Sequence, residues 1–331
     1  MAFKLKIKNS KLKMSAIIFG AIVFALHLTP YTLHVSYAAS PGTEGAPFLK
    51  IGPGARAVGM GEAFVAVADD ATAMFWNPAG IVQLKQREIS FMHNFWFQGV
   101  YYDYFAYVQE LPGPGNEKLG INVTYLQYGD MIRTLEDASG IYTGTGSNFA
   151  ASDLALGLTY AWEMGSNHSL GVNLKFIRSM MDDVSGDAIC LDFGYLFRIN
   201  PALSVGANAQ NSVVSMPIRF YRGLTAVSSP HILPINGKVG LAYRLPFIML
   251  VFDVNFPLEN CVNYHVGMEY KVSDRLCVRA GYKTDLITSL DALSGLCAGF
   301  GFNWAGYNID YAFVPYGDLG QTHRISLSMK F

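Results

Sequence analysis

The last ten residues alternate in character. Ile325, Leu327, Met329 and Phe331 fall on one side of an extended chain, and Arg324, Ser326, Ser328 and Lys330 on the other. Successive side chains of a strand point to opposite faces, so this segment is a ribbon with one apolar and one polar face. The pattern recurs in segment after segment from Arg87 onward. A barrel whose apolar edges meet lipid and whose charged edges enclose a lumen accommodates such a repeat throughout.

Fourteen segments carry the pattern. They are roughly Arg87–Phe97, Val100–Glu110, Lys118–Tyr128, Phe149–Met164, His168–Ser179, Asp187–Ile199, Ala202–Asn211, Ile235–Leu245, Ile248–Phe256, Cys261–Val272, Arg275–Lys283, Leu293–Trp304, Tyr307–Val314 and Thr322–Phe331. Outward sets include Leu154, Leu156, Leu158, Tyr160 and Trp162, and Ile189, Leu191, Phe193, Tyr195 and Phe197. Their alternate neighbours carry the charge, among them Lys175, Asp192, Glu269, Arg279, Asp310 and Arg324. A Lys or Arg facing lipid at the midplane costs about 2–4 kcal/mol, so this segregation is what a membrane would impose. The expected fold is all-β: a 14-stranded antiparallel transmembrane β-barrel with an N-terminal plug, or hatch, containing short helices.

The connections support the count. With the first strand running outward, inner turns should be short and outer loops long. Gly165-Ser166-Asn167, Asn200-Pro201, Pro246-Phe247, Ser273-Asp274 and Ala305-Gly306 are tight inner turns. Gly129–Asn148, Met180–Gly186, Ser212–Pro234, Thr284–Asp291 and Pro315–Gln321 are the expected outer loops.

The first residues read as a leader: Lys4, Lys6, Lys8, Lys11 and Lys13, then an apolar core from Ala16 to Leu28, then Ser36-Tyr37-Ala38. Cleavage is expected after Ala38. Without the leader, 19 basic residues face 25 acidic ones, a net charge of -6. That disfavours nucleic acid as a partner. No run of 18 apolar residues follows the leader, so a helical membrane protein is excluded by pattern. The expected organisation is a signal peptide (1–38), a hatch (39–86) and an outer-membrane barrel of a diderm bacterium (87–331).

The hatch does not alternate. It contains Gly54-Ala55-Arg56-Ala57-Val58-Gly59-Met60-Gly61-Glu62-Ala63, then Ala68-Asp69-Asp70-Ala71-Thr72-Ala73-Met74-Phe75-Trp76-Asn77-Pro78-Ala79-Gly80-Ile81. Asp69 or Asp70 is placed to N-cap a short helix ending near Trp76, and Asn77-Pro78 then forces a turn. Gly52-x-Gly54 has no further Gly or Gly-Lys-Ser/Thr at phosphate-loop spacing.

These two motifs resemble the hatch of the FadL family of outer-membrane long-chain fatty acid transporters. The first looks most like the PorV/PorQ branch of that family. The resemblance implies uptake of long-chain fatty acids or other hydrophobic small molecules through a hatch-gated barrel. Asn77, Pro78, Ala79, Asp69, Asp70, Phe75 and Trp76 become the candidate hatch and ligand residues. The PorV-like alternative is a component of a protein secretion and surface-attachment system. The aromatic end, Phe331, resembles the signal read by the barrel-insertion machinery. Expected partners are thus a hydrophobic small molecule, outer-membrane lipid, that machinery and secretion-system proteins.

In the outer loop Ser212–Pro234, Val213, Val214, Met216, Ile218, Phe220, Tyr221 and Leu224 are candidates for ligand capture or for capping the barrel. The preceding loop, Met180–Gly186, is short and acidic. An enzyme has little support: His93, His265 and His323 stand alone, without metal-site spacing, and no cofactor or catalytic residue is indicated. A wide porin would have 16–18 strands. Cys277 and Cys297 lie on consecutive strands, symmetric about Ile287, so they could face each other, but the favoured reading is four unbonded thiols.

Overall fold

The computed structural model describes residues 42–113, 115–213, 215–284 and 292–331, with Val213, Ala292 and Leu293 described by their backbone alone. The leader, Val214 and most of the Thr284–Asp291 loop lie outside the described residues.

Fourteen strands close into an antiparallel barrel. They are β1 (Glu88–Phe95), β2 (Tyr101–Glu110), β3 (Glu117–Glu136), β4 (Tyr142–Met164), β5 (His168–Met181), β6 (Val184–Asn200) and β7 (Leu203–Val213), then β10 (Asn236–Arg244), β11 (Ile248–Pro257), β12 (Asn263–Lys271), β13 (Leu276–Lys283), β14 (Leu296–Trp304), β15 (Tyr307–Pro315) and β16 (Gln321–Lys330). Two short strands, β8 (Arg219–Arg222) and β9 (Thr225–Ala226), form a hairpin on the outer end of β6. The ring closes where β1 meets β16, with Glu88 opposite Lys330 and Phe95 opposite His323. Closure removes the free edges that lipid could not satisfy.

Each strand follows its alternation. Phe91, Leu156, Leu158, Phe193, Met268, Phe300 and Leu327 stay exposed on the outer face. Asn173, Lys175, Asp192, His265, Glu269, Arg279, Asp310 and Arg324 are buried on the inner face. Among the described residues two charged pairs share the outer face: His93 with Asp103, 2.6 Å apart just inside Phe95 and Tyr101, and Arg178 with Asp187, 2.7 Å apart near the outer end of β5 and β6. The barrel therefore spans a membrane, and its place is the outer membrane. Inner turns are tight except the one joining β2 to β3, which runs from 111 to 116; at Ala305-Gly306 both residues have positive φ (51° and 87°), the requirement of a type I′ hairpin.

Two outer connections differ from the sequence expectation. Gly129–Asn148 is mostly strand: β3 runs 20 residues and β4 23, continuing past bulges near Gln127 to a turn at 137–141. Conversely, Met180–Gly186 is a tight turn around Asp182, whose φ is 57°. A third correction concerns the cysteines. Gly301 lies opposite Cys277, and Gly281 opposite Cys297. The two cysteines are thus four residues out of register, roughly 14 Å along the strands at about 3.4 Å per residue, where a disulfide needs Cα atoms within about 7 Å. All four cysteines are free.

The segment before β1 crosses the lumen from the outer mouth to the inner one. At the outer end the Gly45 N–H donates to the Ile232 carbonyl at 2.8 Å. Helical turns follow at Pro47–Lys50, Ala55–Gly59, Ala73–Trp76 and Pro78–Gln83, joined by irregular backbone. Phe48, Met60, Phe64, Met74, Trp76 and Ile81 are buried in a core shared with Met92, Tyr102, Tyr104, Val108 and Leu126 of the wall.

Candidate functional site: the seat of the hatch

Irregular backbone inside a barrel needs hydrogen-bond partners that water would otherwise supply. Here wall side chains supply them. Asp253 accepts from the Phe64 and Val65 N–H groups at 2.8 and 3.0 Å. Ser204 donates to the Ala66 carbonyl at 2.8 Å, and Asn208 to that of Trp76 at 2.6 Å. Ser326 accepts from the Ala55 N–H at 2.8 Å, and the Tyr102 hydroxyl donates to the Ile51 carbonyl at 2.8 Å.

Backbone also meets backbone. Three cross-strand glycine pairs face the lumen: Gly171 with Gly194, Gly206 with Gly240, and Gly267 with Gly281. A Cβ at Gly171 would sit 2.3 Å from the Ala79 nitrogen. One at Gly206 would sit 2.2 Å from the Val65 oxygen, and one at Gly281 2.1 Å from the Gly61 nitrogen. Each pair is a notch that only glycine leaves open.

The predicted hatch residues divide between this seat and the inner mouth. Asn77, Pro78 and Ala79 are buried over the Gly171–Gly194 notch. The Asn77 amide donates to the Val65 and Tyr195 carbonyls at 2.8 and 3.0 Å, and its Oδ1 accepts from the Ala79 N–H at 3.2 Å. Trp76 is fully buried and donates to the Pro53 carbonyl at 3.0 Å. Phe75 packs edge-on against Trp76, with ring centres 5.0 Å apart. Asp69 and Asp70 are half-buried at the inner end. Neither caps the helix: Thr72 is the N-cap residue, and Asp70 instead accepts from the Thr72 N–H at 2.9 Å, closing an Asx turn one step earlier.

Sequence reasoning missed the ionic ties. Arg56 bridges Asp69 (2.6 Å) and Glu269 (2.9 Å), and Arg279 continues from Glu269 (2.7 Å) to Asp310 (2.6 Å). A second tie joins Glu62 to Lys283 at 2.9 Å, with Arg324 at 3.8 Å. Burial opposes ionisation of Glu62, but Lys283 and Arg324 outweigh it and hold the carboxyl below its ordinary value. For Asp70 burial prevails over Arg56, and its carboxyl is pushed up.

The outer-loop residues separate. Ile218 is buried against Gly45, and Phe220 packs on the core. Met216, Tyr221 and Leu224 are exposed, and Leu224 fully so. The loop caps the barrel with one face and presents apolar side chains outside with the other. Val213 and Val214 have no described side chains.

No curated protein matches the sequence. The family described as uncharacterised protein family UPF0164 matches residues 39–183. Among solved structures, the chain is similar to the Pseudomonas putida toluene transporter TodX, at 12% identity and a TM-score of 0.55, covering 84% of this chain and 96% of that one. It is similar to the CymD monoaromatic hydrocarbon channel at 14% identity and 0.55, covering 85% and 98%. A Pseudomonas aeruginosa FadL homologue aligns at 12% identity and 0.56, covering 83% and 97%.

Proposed function

From the premise that this chain is an outer-membrane barrel with the FadL fold, we propose that it passes hydrophobic small molecules, long-chain fatty acids among them, and performs no catalysis. One observation carries the reading. The lumenal face of β2 is apolar: Tyr102, Tyr104, Ala106 and Val108 point inward, and Met92 of β1 and Leu126 of β3 join them, with Ser90, Asn94, Asn122 and Thr124 at the margins of the patch. A solute porin has a polar, wet lumen. Here the hatch lies over that wall: Met74 sits against Gly120 and Asn122 of β3, and the Tyr102 hydroxyl holds the Ile51 carbonyl. An apolar cargo would replace those contacts with like contacts, whereas a polar solute would lose its hydration. The hatch residues act by yielding this surface while Asn77-Pro78-Ala79 stays seated.

The test is uptake of labelled oleate in a host that lacks its own transporter. Expression with correct surface folding should raise uptake. Unchanged uptake with that folding in place would count against passage.

A second reading rests on the β3–β4 ribbon. Beyond the bulges it exposes Ile132, Leu135, Ile141 and Tyr142 on the outer side. Such a projection suits a PorV-like role in holding secreted proteins at the surface. Trimming the ribbon tip separates the two: partner binding should fall while oleate uptake persists.

A further inference from the structure

The outer mouth contains a cavity that neither reading uses. It holds about 270 Å³ and lies among the outer ends of β7, β10, β11 and β12, with Phe75 and Glu62 of the hatch beneath it. Its lining is unusual in one respect: six carboxamides converge there, from Gln210, Asn211, Asn236, Asn255, Asn260 and Asn263.

The charges around the cavity have partners already. Lys50 pairs with Glu44 and lies 3.9 Å from Glu259. Glu62 holds Lys283. The Lys238 ammonium sits over the Trp76 ring, 4.8 Å from its centre. The two lysines and two glutamates among the lining residues balance one another. The open capacity is therefore that of the amides. Each carboxamide offers two donors and an acceptor oxygen with two lone pairs. Gln210 spends one donor on the Phe75 carbonyl, Asn211 one on that of Pro234, and Asn255 one on Asn263. The Oδ1 atoms of Asn211, Asn260 and Asn263 accept from Lys175, the Cys261 N–H and Asn255 in turn, so the open acceptors are mainly those of Asn236 and Asn255. Asn255 is only 4% exposed, yet its Oδ1 has no hydrogen-bond partner, and neither has Oδ1 of Asn236.

A group that donates and accepts at every vertex, and carries no charge, matches such a lining. Hydroxyls on a small ring do this. A carboxylate only accepts, and it would find both lysines engaged. The volume falls near the lower end of small-molecule sites, which run roughly 300–1,000 Å³, so the fit is to one ring rather than a chain. We propose that the amide-lined outer cavity binds an uncharged, hydroxyl-rich ring about the size of a single hexose. The ring comes either from a free sugar or from the sugar head of an amphiphile.

Saturation-transfer NMR on the full chain tests this in a detergent without a sugar head. The probes are glucose, galactose, n-octyl glucoside below its micelle concentration, and octanoate. Transfer to ring protons of a free sugar supports the site with a free-sugar source. Transfer to octyl glucoside alone supports it with an amphiphile source. In either case Asn255→Leu and Asn263→Leu should each weaken binding by about tenfold, and Lys50→Met should not. Asn263 is half-buried, so its variant keeps the test usable should Asn255→Leu fail to fold. No transfer to any sugar, binding of octanoate alone, or sugar binding indifferent to both folded asparagine variants would overturn the proposal.

Discussion

Replacing Gly281 by Ala should loosen the hatch from its seat. The added Cβ would stand 2.1 Å from the Gly61 nitrogen and 2.2 Å from the Met60 carbonyl carbon, where real Cβ atoms essentially never approach below 3.0 Å. Both obstacles are backbone, so no rotamer change relieves the overlap. Gly281 is itself held in the ladder between Gly267 and Cys297. The hatch must therefore retreat by roughly 1 Å, and overpacking of this kind costs about 1–3 kcal/mol. Reduced freedom of the unfolded chain returns about 0.4–1 kcal/mol where Ala can adopt the native backbone, so the net loss is of order 1 kcal/mol and at most about 2.6 kcal/mol. Gly237→Ala is the internal control: its nearest atom, Phe256 Cβ, lies 3.9 Å away, so it should be neutral or slightly stabilising. Urea unfolding in lipid vesicles, followed by tryptophan fluorescence, compares the two. Equal midpoints would refute the seating of hatch backbone on the wall.

Asn77→Ala removes two donated and one accepted hydrogen bond from a buried site and should cost about 2–3 kcal/mol in the same assay. Asn77→Asp should rescue little, because a carboxylate cannot donate to the Val65 and Tyr195 carbonyls. Glu62 has a depressed folded-state pKa, so its stabilisation is present above its unfolded value near 4.5 and lost as pH falls below it. Glu62→Gln should therefore be less stable than wild type at pH 7, with the deficit closing below about pH 4.5 in a pH series of urea midpoints. Alkylation under denaturing conditions without reductant should label all four cysteines by mass spectrometry; a protected Cys277–Cys297 pair would contradict the strand register.

The fourteen strands were legible because lipid and lumen sort every second residue. Where that sorting stops, legibility stops. Above the membrane, Thr143, Gly144, Thr145, Gly146 and Ser147 face water on both sides, so the ribbon they extend carries no period-two signal. The Cys277–Cys297 alignment failed because it assumed a hairpin centred on Ile287; the ladder centres two residues later, and each such step moves a partner by two. The hatch motif pointed to Asn77-Pro78-Ala79, yet its seat was hidden. Gly171 and Gly194 are 23 residues apart in sequence, and a glycine has no polarity to show which face it serves. Arg56 and Glu62 were visible only as charges, since their partners Glu269 and Lys283 come from strands more than 200 residues away.

The account depends most on which face of each strand meets acyl chains. Power-saturation EPR along β4 reads this directly, with spin labels placed singly from Asp153 to Trp162 in a cysteine-free chain in vesicles. Labels at Leu154, Leu156, Leu158 and Tyr160 should be open to dissolved oxygen, and labels at Ala155, Thr159 and Ala161 sheltered from it. Oxygen access without a two-residue period, or with the two sets exchanged, would contradict the account.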